Sequence, residues 1–214
     1  MHRLCLVDPF PVLRHGLQTM LEARPGFEIC AEFSAAREAI DAIPGLNPDL
    51  VVTEIALPDI SGLELIKELQ ARCSGVRVLV FSAQDEMLYA ERVIRAGGCG
   101  YLMKHTAVAV TVRAIEHVLG GNVHLSQKMS NHMLGSLAGN GHSRPMPHLN
   151  LLTDRELEVF DLIGRGRNTH EISDQLCICL RTVEAHRTHI REKLQLGTAA
   201  DVIRHAVLWV ESPK

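Results

Sequence analysis

Residues 152–196 read LTDRELEVFDLIGRGRNTHEISDQLCICLRTVEAHRTHIREKLQL. Thr153 and Glu156 stand at capping-box spacing and open a helix whose apolar stripe is Leu157, Phe160, Leu162 and Ile163. Asn168-Thr169-His170-Glu171 opens a second, with Ile172 and Leu176 inside. A break at Cys177–Cys179 precedes a third helix carrying Val183, Ile190 and Leu194. Thr198 to Asp201 then starts a fourth, with Val202, Ile203, Ala206, Val207 and Trp209. No strand pattern interrupts these four, so this end is a small all-α domain. A break of about three residues between the second and third helices is the helix-turn-helix spacing, in which the second member lies in the DNA major groove. The third helix sets Arg181, Arg187, Arg191 and Lys193 against Glu184 and Glu192, four charges minus two, a local +2. That sign suits phosphate contacts. His186 and His189 add polar reach. The pattern alone also fits an ordinary bundle with a solvated basic helix.

The residues themselves separate the two. Leu152-Thr153, Arg155-Glu156, Asn168, Glu171-Ile172, Leu176, Arg181-Thr182-Val183-Glu184, His186 and Lys193-Leu194 together resemble the LuxR/NarL-type helix-turn-helix. The resemblance implies that Arg181–Leu194 enters the groove, with Glu184, Ala185 and Thr188 at bases. It implies Arg181, Thr182, Arg187, Arg191 and Lys193 near phosphates, Val183 and Ile190 in the core, and dimerisation through the last helix. Cys179 departs from the pattern, which usually has Ser there. A thiol is a poor acceptor for a helix start, an expected loss of about 0.5–1 kcal/mol.

Upstream, residues 135–148, GSLAGNGHSRPMPH, read as a flexible linker, with one helix expected within 122–134. Before that lie the short apolar runs Leu4–Val7, Leu50–Thr53, Val76–Phe81 and, more weakly, Gly100–Met103. Their lengths suit strands buried on both faces. Helical spacing runs through Val12, Leu13, Leu17, Met20 and Leu21. It recurs through Leu63, Ile66 and Leu69 (with Ser61 and Glu64 as a capping box), around Ile94 up to Gly97, and from Ala107 to Leu119. Alternation of this kind means a doubly wound parallel sheet. Such sheets carry their sites at the carboxyl ends of strands. Those ends here are Asp8, Thr53-Glu54, Ser82 and Lys104, a set suited to an anion or phosphoryl group.

Leu6-Val7-Asp8-Pro9, Asp49 through Pro58, Phe81-Ser82-Ala83 and Gly100-Tyr101-Leu102-Met103-Lys104 resemble a response-regulator receiver. The whole then resembles a NarL/FixJ-type response regulator. The expected fold is an α/β doubly wound parallel five-stranded sheet plus a small all-α helix-turn-helix domain. Its expected parts are 1–121 (receiver-like), 122–148 (linker) and 149–214 (DNA-binding). Asp8, Ser82 and Lys104 match the receiver site, and Tyr101 is expected to turn inward with Ser82. The phospho-accepting Asp position holds Glu54, and the second metal-holding acid is Pro9. Asp49 starts its strand at the opposite sheet edge, and Asp59 lies past Pro58 on the loop, so neither substitutes. Mg²⁺ wants near-octahedral oxygen, so its binding is expected to be weak or absent, and no cofactor is expected. A carboxylate displaced by about 1 Å loses roughly a hundredfold in a reaction that depends on positioning. Glu54 then reads in two ways. It is drift on a neutral scaffold, or a standing imitation of an aspartyl phosphate that reaches Lys104 and Ser82. Its charge is near −1, against about −2 for a phosphate.

Composition sets outer limits. A net charge of −3 excludes a globally basic nucleic-acid coat, and no apolar run reaches the length of a membrane span. The N-terminus shows no signal-peptide pattern. Six scattered cysteines form no CxxC pair, and the twelve histidines show no close metal-ligand spacing. The expectation is a cytoplasmic, non-enzymatic transcriptional regulator that binds promoter DNA as a homodimer, with a protein partner or small-molecule ligand as an open input. Two alternatives stand beside it: a phosphorylated switch with an unusual acceptor, and a heterodimerising interaction module.

Overall fold

A computed structural model describes residues 1–73, 75–137 and 149–211. The chain divides into two compact units, Met1–Gly141 and His142–Lys214. In the first, strands β1 (His2–Val7), β2 (Phe27–Phe33), β3 (Leu50–Thr53), β4 (Arg77–Ser82) and β5 (Gly100–Met103) form one parallel sheet in the order β2-β1-β3-β4-β5. Helices α1 (Pro11–Glu22), α2 (Ala36–Leu46), α3 (Gly62–Arg72), α4 (Glu86–Arg95) and α5 (Val108–Leu119) connect them. Alternate strand residues point to opposite faces. Leu4, Leu6, Leu50, Val52, Leu79 and Phe81 pack with Leu17 and Leu21 of α1 and Val112, Ile115 and Val118 of α5. Cys5, Val7, Val51, Val78 and Val80 are equally buried on the other face. That two-sided burial explains why the central strands read as unbroken apolar runs. The strand order reverses between β1 and β3, so a crevice opens beyond their carboxyl ends.

β2 and α2 have no counterpart among the segments read from the sequence. β2 is an edge strand paired only with β1, and Glu28 and Glu32 break its apolar pattern. α2 lacks a local start signal: its N-cap is Ala35, which offers no side-chain oxygen, and Pro44 sits inside it. The missing cap comes from another loop. Asp59 accepts the backbone N–H groups of Ala36 at 2.9 Å and Arg37 at 2.7 Å. Burial alone would raise the Asp59 carboxyl, but these N–H groups, with that of Ile60, hold it below its ordinary 3.8. A lowered folded value means the cap contributes fully above the ordinary value and is lost as pH falls through the folded one. Asp59→Ala should therefore destabilise the first unit by about 1 kcal/mol at neutral pH, with the gap from the natural chain closing in acid. Urea titrations at both pH values check it.

Two local expectations shift. Ser61 caps α3 through the Leu63 N–H rather than that of Glu64, and Glu64 pairs with Lys67, so Ser61 is a plain N-cap and the expected box does not form. Residues 122–137, read as the first part of a linker, belong to the first unit. His124 exchanges backbone hydrogen bonds with Cys99 and Tyr101 beside β5. Ser126 N–H reaches Glu86 at 2.8 Å, and helix α6 (Gln127–Leu137) buries Met129. Residues 138–148, the rest of that linker reading, lie outside the described residues.

The second unit consists, among the described residues, of a short 3-10 turn (Leu149–Leu151) and helices α7 (Asp154–Gly164), α8 (Thr169–Leu176), α9 (Leu180–Lys193) and α10 (Ala199–Glu211). Both capping boxes, Thr153 with Glu156 and Asn168 with Glu171, are fully formed. The core holds Leu157, Phe160, Ile163, Ile172, Leu176, Val183, Ile190, Val202 and Ala206. On α10, Ile203 and Leu208 remain exposed.

Candidate functional site

The first unit brings Asp8, Glu54, Ser82 and Lys104 together at the crevice. Asp8 follows β1, Glu54 follows β3, Ser82 ends β4, and Lys104 follows β5. Asp8 and Glu54 are each only 4% exposed. Lys104 Nζ lies 2.5 Å from Asp8 Oδ2 and 2.7 Å from Glu54 Oε2, so one ammonium bridges two buried carboxylates. The other Glu54 oxygen, Oε1, accepts from the Ser82 hydroxyl and from the Ile55 N–H at 2.6 Å. The Ala83 N–H approaches Oε2 at 3.4 Å. Asp8 Oδ1 accepts the Phe10 N–H at 2.8 Å, which fixes the turn through Pro9. Pro9 itself supplies no side-chain oxygen. Gly62, where α3 begins, has no room for a Cβ: it would strike the Glu54 carbonyl and come within 2.9 Å of Ile55 Cα.

Beside this cluster Tyr101 is 1% exposed, and its hydroxyl donates to the Gln84 carbonyl at 2.9 Å. Burial, with the negative charge of Glu54 behind it, pushes the phenol well above its ordinary value, so the group is a proton donor throughout the usual pH range. Asp49 sits at the other end of β3, where it accepts the Arg3 N–H at 2.8 Å, remote from Glu54.

In the second unit the α8–α9 break is short because Cys177 takes a left-handed conformation, φ 49°. Cys179 caps α9 in position but makes no side-chain bond to the helix backbone; its Sγ meets the Thr182 hydroxyl at 3.1 Å. That hydroxyl draws the exposed thiol below its ordinary value. Val183 and Ile190 are buried, while Arg181, Glu184, Ala185 and Thr188 are exposed. Thr169 of α8 orders part of this face: its hydroxyl lies 2.9 Å from Glu184 Oε1 and 3.2 Å from an Arg187 nitrogen. Thr182, Arg187 and Arg191 are half-buried. Lys193 is placed apart from the rest, with Nζ 2.7 Å from Glu156 Oε2 on α7.

Residues 4–116 match the response regulator receiver domain, and residues 150–206 match the bacterial regulatory proteins of the luxR family. The chain is a LuxR-family response regulator. This regulator is 34% identical over 208 residues to the transcriptional activator protein ExaE of Pseudomonas putida, covering 95% of each chain. It is 32% identical over 209 residues to the transcriptional regulatory protein LiaR of Bacillus subtilis, covering 96% of this chain and 97% of that one. Its fold is also that of RcsB from Salmonella enterica serovar Typhimurium, solved bound to promoter rprA with BeF3- (TM-score 0.64, 19% identity, 96% and 98% of the two chains). The regulator is therefore a DNA-binding transcriptional regulator and not an enzyme. No helix among its described residues is long and apolar enough to cross a membrane.

Several contributors to these sites were absent from the sequence reading. Phe10 lies under the Lys104 ammonium, 5.5 Å from its ring centre, and Arg14 binds the Asp8 carbonyl while pairing with Glu32 at 2.9 Å. Thr169 and the backbone donors around Glu54 were missed too. Backbone groups leave no mark in residue type, and Thr169 matters only through its packing on α9.

Proposed function

We propose that this response regulator controls transcription without phosphotransfer, with Glu54 acting as a permanent stand-in for the signal. The observation that carries this is the double engagement of Glu54: one carboxylate oxygen on Ser82, the other on Lys104 at 2.7 Å, with Tyr101 turned inward. A phosphorylated acceptor would need the same hydroxyl and ammonium as its oxyanion partners. Here they are already satisfied by a side chain that is never turned over. The donor set does not suit Mg²⁺ either. Pro9 offers nothing, and Asp8 and Glu54 share an ammonium where an octahedral cation would need both. The proposed function uses no metal in this unit.

On the DNA side, α9 enters the major groove of promoter sites, as a homodimer on half-sites about one helical turn apart. Glu184, Ala185 and Thr188 read bases. Arg181, Thr182, Arg187 and Arg191 hold phosphates. Lys193 leaves this set, because its charge is spent on Glu156. The input is then expression level, a protein partner or a small ligand.

The test joins both halves. Incubation with a small-molecule phosphodonor should leave the intact mass unchanged, and Glu54→Gln should weaken promoter binding or dimerisation. A phosphoryl adduct that disappears in Glu54→Gln overturns the proposal in favour of an unusual acceptor. Unchanged binding in that variant reduces the unit to a scaffold. Arg191→Ala should weaken binding on all sequences and lower the salt slope by about one, whereas Thr188→Ala should change base preference. Equal loss on every sequence for Thr188→Ala would place it on phosphate.

A further inference from the structure

In the second unit one carboxylate and two imidazoles converge from two helices, and the reading of DNA bases does not use them. Glu156 stands in the first turn of α7; His186 and His189 lie three apart on α9 and so share a face. One donor atom from each can be chosen so that all three lie within 4.8 Å of one another. Glu156 is 3% exposed. Its Oε2 is occupied by Lys193 Nζ and the Thr153 N–H, both at 2.7 Å. Its Oε1 faces His189 Nδ1 at 3.7 Å, beyond hydrogen-bond reach. A second observation points the same way: His186 Nδ1 is fully enclosed and has no hydrogen-bond partner. Buried polar atoms without partners are uncommon in folded proteins and ask for a reason.

We propose that Glu156, His186 and His189 form a binding site for a divalent cation of the zinc class, which ties α7 to α9. Two imidazole nitrogens and one carboxylate oxygen are the donors such ions prefer, whereas Mg²⁺ and Ca²⁺ want oxygen alone. Zn–N bonds of about 2.0–2.1 Å place tetrahedral donors roughly 3.4 Å apart, and His189 is free to close that gap by changing rotamer. Its side chain is 57% exposed. A water completes the tetrahedron. Lys193 sets the limit on affinity, since its ammonium shares the Glu156 carboxylate with the cation.

The site does not depend on how Glu54 works. Its test is a titration of the full chain with Co²⁺ as the probe, followed by displacement with Zn²⁺. One equivalent should bind with a weak visible spectrum of nitrogen and oxygen ligation, without a sulfur-to-metal band. His189→Ala should keep the far-UV circular dichroism and weaken binding by at least the roughly 10–100-fold that loss of an outer-shell partner costs. A Cys177→Ser/Cys179→Ser variant should bind as before. Absence of binding overturns the site, as does binding that His189→Ala leaves unchanged. So does a thiolate band that vanishes in the cysteine variant.

Discussion

Lys104→Met should destabilise the first unit by about 3 kcal/mol, the lower end of the cost of leaving buried charge unpaired. The natural side chain is shared by Asp8 and Glu54, at 2.5 and 2.7 Å, and offsets one of their two charges; both acids are 4% exposed. Removing it leaves two carboxylates side by side with neutral donors only. Glu54 keeps Ser82 and the Ile55 N–H, and Asp8 keeps the Phe10 N–H, which is why the lower end applies. Glu54→Gln alone should cost less, because Lys104 retains Asp8. The double variant should recover part of the Lys104→Met loss, since one of the two stranded charges is then gone. Calorimetry of the four chains measures the coupling, which contacting groups show at about 0.5–3 kcal/mol. Strict additivity would mean that the lysine does not hold the two acids as one cluster.

The second large effect lies in the other unit. Gly164→Val should cost about 3 kcal/mol or more, at the top of the range for overpacking. Gly164 ends α7 where α10 crosses it. A Cβ there would run into the Ala206 carbonyl and sit 2.6 Å from Val210 Cγ2. The obstacle is backbone, so no rotamer change relieves it; α10 must move. The lone tryptophan, Trp209, is on that helix, so its fluorescence follows this unit. Its urea midpoint should fall sharply, with a smaller fall for Gly164→Ala. A midpoint equal to that of the natural chain would show that α10 has room to shift.

Much of this was legible along the chain because it is local. The two capping boxes at Thr153 and Asn168 need only four consecutive residues, and both form as read. The central strands announce themselves because helices on both faces make every position apolar. Asp8, Glu54, Ser82 and Lys104 could be named in advance because a parallel sheet gathers its strand ends at one edge. The edge strand β2 escaped for the opposite reason: a half-exposed ribbon tolerates Glu28 and Glu32 and loses the signature.

Residue order by itself therefore determined the two-part architecture, the strand-end cluster and the exposed face of α9, since each follows from short-range periodicity or from a register set by the sheet. Only the tertiary structure decided which charges meet. Lys193 reads as one more cation on a basic helix, and only the packing of α9 on α7 brings its ammonium to 2.7 Å from Glu156. Asp59 reads as a loop acid, yet it closes the start of a helix that begins 23 residues earlier. His186, His189 and Glu156 have no metal-like spacing, because their meeting depends on how two helices cross. Pairing energy depends on distance and burial, and neither is written in the order of residues.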